Sequence, residues 1–259
     1  MAQPAPLLDM PGEVDVYEGY LRHTFTLDGC RCLLVEPRAP RADRAWVWKA
    51  EFFEAFPAFE LAMLQRGFFL AYITVGNTFG CPSALAHWSP FYEELTGKYG
   101  LSSRPILLGM SRGGLYIYNW AARNPSQVGC LYGDAPVCDF KSWPGGRGVG
   151  PGSPADWEAL RRCYGFASEA EALAYGGNPV DNLAPIAAAG LPIIHVVGDR
   201  DEPVPVSENS DVLEARYRAL GGLIQVIHKP ECGHHPHGLE DPAPVIEFIL
   251  QHALGLERP

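Results

Sequence analysis

Apolar runs and polar breaks alternate along most of this chain at spacings that predict strands and helices in turn. Residues 20–26 and 31–36 read as two strands around Asp28-Gly29, a dipeptide suited to a two-residue hairpin turn because both positions tolerate positive φ. Residues 45–48 form an apolar run. Residues 57–66 carry Phe59, Leu61, Ala62 and Leu64 at helical spacing and stop at Gly67. Residues 68–75 are again nearly all apolar. A loop over 76–82 and a helix over 90–99 follow, then a strand over 105–110 and a helix over 114–123 closed by Asn124-Pro125. The remaining pattern predicts strands over 128–132, 192–197 and 223–228 and helices over 211–219 and 244–254. Residues 1–15 are proline-rich and predict an irregular lead-in.

Strands without polar alternation are buried on both faces, and here they alternate with helices. That combination predicts an α/β fold: a mostly parallel central sheet covered by helices on both faces, opened by an N-terminal antiparallel hairpin. Residues 1–259 are expected to form a single domain. The interval 140–190 breaks the rhythm, first with glycines and prolines and then with short helices, and reads as a small lid-like insertion.

Composition narrows the function classes. Of the 259 residues, 47% are hydrophobic and 19% charged, too apolar for a disordered chain. The net charge of −10 lacks the basic footprint of a nucleic-acid binder. No apolar run reaches the length that spans a membrane, and the first residues lack the pattern of a secretory signal. The chain is therefore expected in the cytoplasm, acting on a small-molecule substrate without nucleic acid, membrane or cofactor. Its seven cysteines are odd in number and mostly scattered, and Cys30-Arg31-Cys32 is one residue short of a C-x-x-C pair, so reduced thiols are expected.

The sharpest chemical feature is Gly109-Met110-Ser111-Arg112-Gly113-Gly114, placed between a predicted strand and a predicted helix. G-x-S-x-G in this setting is the turn that lifts a serine Oγ clear of the sheet, with the helix N-terminus facing a developing oxyanion. A hydroxyl needs a base, and the base an orienting acid, expected in the order Ser, acid, His. The acid lies after the strand over 192–197, where Asp201 is preferred and Asp199 is its rival. The base lies after the last strand, in Gly233-His234-His235-Pro236-His237. Three histidines in four positions raise the question of a metal, but no Cys or His partners elsewhere complete a set, so no metal is expected. His195 and His228 sit inside strand patterns and read as core residues.

From about residue 20 to the end the chain resembles the α/β-hydrolase superfamily, in particular its esterase and prolyl-oligopeptidase-like members. The likeness rests on the elbow, on Gly198-x-x-Asp201-x-x-Val204-Pro205 and on Gly233-His234. It implies Ser111 as nucleophile, Asp201 as acid and His234 as base. The Arg112 N–H is the expected first oxyanion donor. Many members carry His-Gly after the early strand; Lys49-Ala50-Glu51-Phe52-Phe53 stands there instead, so the second donor falls to the backbone of Glu51 or Phe52. Gly-Met-Ser-Arg also looks like the elbow of glucuronoyl esterases, which implies an oxyanion role for the Arg112 side chain; a structural ion pair is the alternative. Trp88, Asp134, Asp139 and Trp143 are candidate substrate contacts, suited to a polar or carbohydrate-linked substrate. The expected activity is carboxylic ester hydrolysis. A peptidase, amidase or acyltransferase with the same triad stays open, as does a non-catalytic ligand-binding protein.

Overall fold

The computed structural model describes residues 6–256. Residues 1–5 of the expected lead-in, and the last three of the expected single domain, lie outside the described residues. The strands are β1 (Glu13–Tyr17), β2 (Tyr20–Leu27), β3 (Cys30–Val35), β4 (Trp46–Lys49), β5 (Phe69–Ile73), β6 (Ile106–Met110), β7 (Cys130–Asp134), β8 (Ile193–Gly198) and β9 (Ile224–Lys229). They form one mixed sheet in the order β1-β2-β3-β5-β4-β6-β7-β8-β9. The first three strands and the β3–β5 junction are antiparallel, and every pairing from β5 through β4 to β9 is parallel.

The hairpin turns at Asp28 (φ 47°) and Gly29 (φ 78°), the backbone that this dipeptide accepts at least cost. Strand β1 was not legible in the lead-in. It pairs with β2 across Glu18 (φ 50°) and Gly19 (φ 80°), and its valines are about half exposed, so neither a recognised turn dipeptide nor a buried face announces it. The central strands behave as expected: all residues of β4, β6, β7 and β8 are buried.

The helices are α1 (Ala58–Gln65), α2 (Pro82–Glu93), α3 (Gly113–Arg123), α4 (Pro154–Tyr164), α5 (Glu169–Ala174), α6 (Ala184–Ala188), α7 (Ser210–Ala219) and α8 (Ala243–His252). The expected helix over 90–99 is corrected. It begins at Pro82, where a proline's missing N–H costs nothing, and runs through Pro90 into a wider turn over Glu94–Lys98. Pro90 is an interior residue of this helix, not its start.

One apolar cluster lies on the α2 and α3 face and stacks Trp48 on Trp88 at 4.2 Å, with Trp46 and Trp120 around them. The other lies on the α1 and α8 face. A third, smaller cluster joins Phe140, Trp157, Leu160 and Ala172 of the segment between β7 and β8 to Phe79, Leu115 and Val204. That segment holds α4, α5 and α6. His195 is a core residue, as expected: it is fully buried between Tyr118 Oη (2.6 Å) and Ser210 Oγ (2.9 Å), and burial pushes its imidazole down to about 3. The same expectation fails for His228. Strand β9 is the edge of the sheet, so its strand pattern is only half covered and His228 is exposed.

Candidate active site

Strand β6 leads straight into Ser111, whose φ of 50° is rare for a non-glycine residue. Such backbone strain costs on the order of 1–3 kcal/mol and persists only where its surroundings enforce it. Here the Ser111 N–H donates to the Asp134 carbonyl (2.8 Å), and the Ser111 carbonyl accepts from Gly114 (3.0 Å) and Val137 (2.9 Å). Two glycines are required for this packing. A Cβ on Gly109 would meet the Gly113 carbonyl oxygen at 2.7 Å, and one on Gly114 would meet the Val137 carbonyl oxygen at 2.6 Å. Gly113 is different: its nearest neighbour would be 3.6 Å away, an ordinary contact. The steric demand of the motif therefore falls on Gly109 and Gly114.

The other two partners arrive on loops after β8 and β9. Those loops meet because Gly198 has no side chain; a Cβ there would meet the Gly233 carbonyl oxygen at 2.2 Å. The Arg200 N–H then donates to the Cys232 carbonyl (2.8 Å) and ties the loops together. His234 Nε2 lies 3.0 Å from Ser111 Oγ, and His234 Nδ1 lies 2.7 Å from Asp201 Oδ2. The other Asp201 oxygen accepts from the Val204 N–H at 2.8 Å, which fixes the carboxylate's orientation. Asp201 is buried and His234 is partly open. Asp199, the rival, is exposed and pairs with His228 Nδ1 at 2.7 Å. The structure thus brings Ser111, His234 and Asp201 into one hydrogen-bonded chain and leaves Asp199 out of it.

The segment after β4 borders the elbow. A Cβ on Gly113 would lie 3.6 Å from those of Ala50 and Glu51. Neither the Arg112 N–H nor the Phe52 N–H has an acceptor among the described residues. Phe52 has φ 55°, so the chain turns sharply there. The Arg112 guanidinium is held by Glu51 Oε2 (3.2 and 3.1 Å) and lies over the rings of Phe52 and Phe79. Burial raises the Glu51 carboxyl above the usual range, and the neighbouring Arg112 charge pulls it back. Beneath this segment a fully buried ion pair, Lys49–Glu60, has its ammonium also bonded to the Ala55 carbonyl at 2.8 Å. Lys49 thereby staples the turn that carries Glu51 and Phe52, a role that the sequence did not signal.

The expected substrate contacts fare unevenly. Trp88 is corrected: it is fully buried in the tryptophan cluster, on the sheet-facing side of α2, and no substrate reaches it. Asp134 is buried at the end of β7, and its carboxylate pairs with His237 Nδ1 at 3.3 Å. Asp139 accepts from the Lys141 N–H (2.8 Å), which makes it a turn-former, and burial raises its carboxyl. Trp143 is partly exposed and packs near Phe79, which itself lies against Arg112. A cavity of about 520 Å3 opens beside the histidine loop, lined by Phe56, Phe59, Met110, Tyr132, Asp134 and Leu239 among others. Ser111 does not line it, so the cavity adjoins the nucleophile without enclosing it. No helix among the described residues is long and apolar enough to cross a membrane, and all seven cysteines are unpaired.

No protein-family model matches the chain, and no curated protein matches it in sequence. Solved structures match it in shape. An acylaminoacyl peptidase from Pyrococcus horikoshii superposes with a TM-score of 0.66 at 12% identity, over 93% of this chain and 43% of that one. Dipeptidyl peptidase 4 from Porphyromonas gingivalis gives 0.64 at 11% identity, over 90% and 35%. A membrane phospholipase A described as a bacterial virulence factor gives 0.57 at 17% identity, over 90% and 86%. The chain thus spans less than half of either peptidase but matches most of the phospholipase. Together with the sheet order and the elbow, these likenesses show the α/β-hydrolase fold.

Proposed function

We propose that the chain is a serine hydrolase that cleaves a carboxylic ester through an acyl-enzyme. The observation that carries the proposal is the hydrogen-bonded chain from Ser111 Oγ through His234 to buried Asp201. Ser111 Oγ attacks the carbonyl carbon while His234 Nε2 takes its proton. The imidazolium, oriented and stabilised by Asp201, then gives that proton to the departing alkoxide. Water repeats the sequence on the acyl-enzyme and releases the acid and Ser111. The oxyanion is held by the Arg112 N–H and by the Glu51 or Phe52 N–H, assisted by the positive end of α3.

The Arg112 side chain acts through Glu51: its Nε and Nη2 hold that carboxylate and its face covers Phe52. It is a positioning residue for the segment that supplies the second donor. Arg112→Ala and Glu51→Gln should then lower kcat by similar factors with KM nearly unchanged. The double variant should cost no more than either alone; independent, additive losses would remove this role.

The ester reading is supported by the phospholipase, whose match extends over most of its own length. The peptidase reading has the two peptidases on its side, but over a minority of each. Trp143 and the segment over 140–190, acting as a lid, would select the substrate. A fluorophosphonate probe should label the protein covalently and fail on Ser111→Ala, and short-chain and polar esters should turn over faster than peptide amides. An unlabelled wild type would point to a non-catalytic binding protein. Preferential amide cleavage would replace the esterase with a peptidase.

A further inference from the structure

The triad uses one histidine of the loop after β9, yet the loop brings three together. The rings of His234, His235 and His237 stand mutually edge to face, with centroids 4.7–5.1 Å apart. One ligand nitrogen from each lies within 4.8 Å of the other two. Mutual packing alone would produce such a cluster, but two further facts point to a ligand. His234 and His237 each have Nδ1 on a buried carboxylate, Asp201 and Asp134 respectively. With Nδ1 protonated towards the carboxylate, Nε2 keeps the basic lone pair. A carboxylate that fixes the tautomer and orientation of an imidazole in this way is what metal-binding histidines commonly have behind them. His235 is exposed and stacks on Phe56 (5.8 Å), so its ring is restrained yet accessible.

We infer that His234, His235 and His237 form a transition-metal site, best suited to Zn2+, whose occupation switches the enzyme off. Three neutral imidazoles and a water make a common tetrahedral zinc set. Nitrogens all within 4.8 Å of one another lie at most about 2.8 Å from a common centre, and zinc–nitrogen bonds are about 2.0–2.1 Å. The closure needed is therefore at most about 0.7 Å per ring, and exposed His235 and partly open His234 can move towards buried His237 to supply it. To bind, His234 must turn its Nε2 lone pair from the Ser111 hydroxyl to the metal. The nucleophile then loses its base. Binding of the metal stands on the three rings alone; the inhibitory consequence rests on the proposed hydrolase reading.

Chelator-treated protein titrated calorimetrically with Zn2+ should take up one ion per chain, and turnover should fall in parallel by at least about tenfold and return on chelation. Co2+ in place of Zn2+ should give the visible absorption of a tetrahedral nitrogen site. Ser111→Ala should bind Zn2+ at least as tightly as wild type, because His234 no longer has a hydroxyl to give up. His235→Ala should keep metal-free turnover within about twofold while binding Zn2+ at least about tenfold more weakly. Wild-type affinity in His235→Ala, or no stoichiometric uptake by wild type, would overturn the site. Metal binding accompanied by increased turnover would overturn the inhibitory switch. Metal binding by a protein that hydrolyses no substrate and resists the fluorophosphonate would leave the site standing and sink the hydrolase reading instead.

Discussion

Two carboxylate–imidazole pairs stand side by side at the end of the sheet. One, Asp201–His234, spans the loops after β8 and β9; the other, Asp134–His237, spans the end of β7 and the same histidine loop. Both acids are buried and both bond an Nδ1 atom. The difference lies on the far side of each ring. His234 is partly open and meets Ser111 Oγ; His237 is enclosed and meets the edge of the His234 ring. A carboxylate behind an imidazole orients it, but only the atom in front decides whether it becomes a general base. In the proposed mechanism the first pair relays a proton, and the second backs it.

The largest effect should come from removing the atom that distinguishes the pairs. Ser111→Ala should lower kcat by at least about 10⁴, leaving what binding and oxyanion stabilisation alone supply. Circular dichroism and thermal melting should stay near wild type, since the small side chain lies at a partly open position. More than roughly a tenth of the activity surviving would mean that the nucleophile is elsewhere.

Next comes the acid of the first pair. Asp201→Asn keeps the shape and the Val204 contact but removes the charge that sets the tautomer of His234, so kcat should fall by up to about 10⁴. A loss below about tenfold would show that another group performs this task.

The elbow and the loops that bring Asp201 and His234 to Ser111 were legible because each is punctuated locally. Glycines mark the turns, an apolar strand precedes each, and chain order fixes which loop holds which group. The choice between Asp201 and Asp199 was also open to local argument, since two more residues of loop carry Asp201 away from the strand end. What lay hidden depends on contacts between distant positions. Asp134 and His237 are 103 residues apart, and nothing near either one advertises the other. Trp88 was placed near the site by residue type, but its position on α2 depends on a helix start at Pro82 that Pro90 masked. His228 reads as buried in any strand pattern; only the strand order shows that β9 has no outer neighbour among the described residues.

The second pair should matter less, and in a different parameter. Asp134→Asn keeps the backbone carbonyl that holds the Ser111 N–H and alters only the carboxylate. A buried hydrogen bond to a charged group is weakened, at a cost of about 1–3 kcal/mol in stability. The loosened His237 ring should let His234 drift, lowering kcat by about tenfold at unchanged KM, where a purely structural role would move the melting temperature alone. A loss as deep as that of Asp201→Asn would erase the distinction between relay and backing.

The smallest effect belongs to a third pair, Asp199–His228, which shares a loop with Asp201 and in which His228 meets no hydroxyl among the described residues. Both side chains are more than two-fifths exposed. The Asp199 N–H continues the β8–β9 contact by donating to the Lys229 carbonyl, so backbone bonding places the residue independently of its carboxylate. Exposed ion pairs contribute at most about 1 kcal/mol, and asparagine still offers His228 Nδ1 an acceptor. Asp199→Asn should therefore change kcat and KM by less than about twofold and leave the melting temperature within about 2 °C. The contrast with Asp201→Asn, two residues away on the same loop, isolates burial and the facing serine as what turns such a pair into a catalytic one. If Asp199→Asn instead lowers kcat by about a hundredfold or more, the triad's acid has been assigned to the wrong residue, whatever the geometry of the resting site.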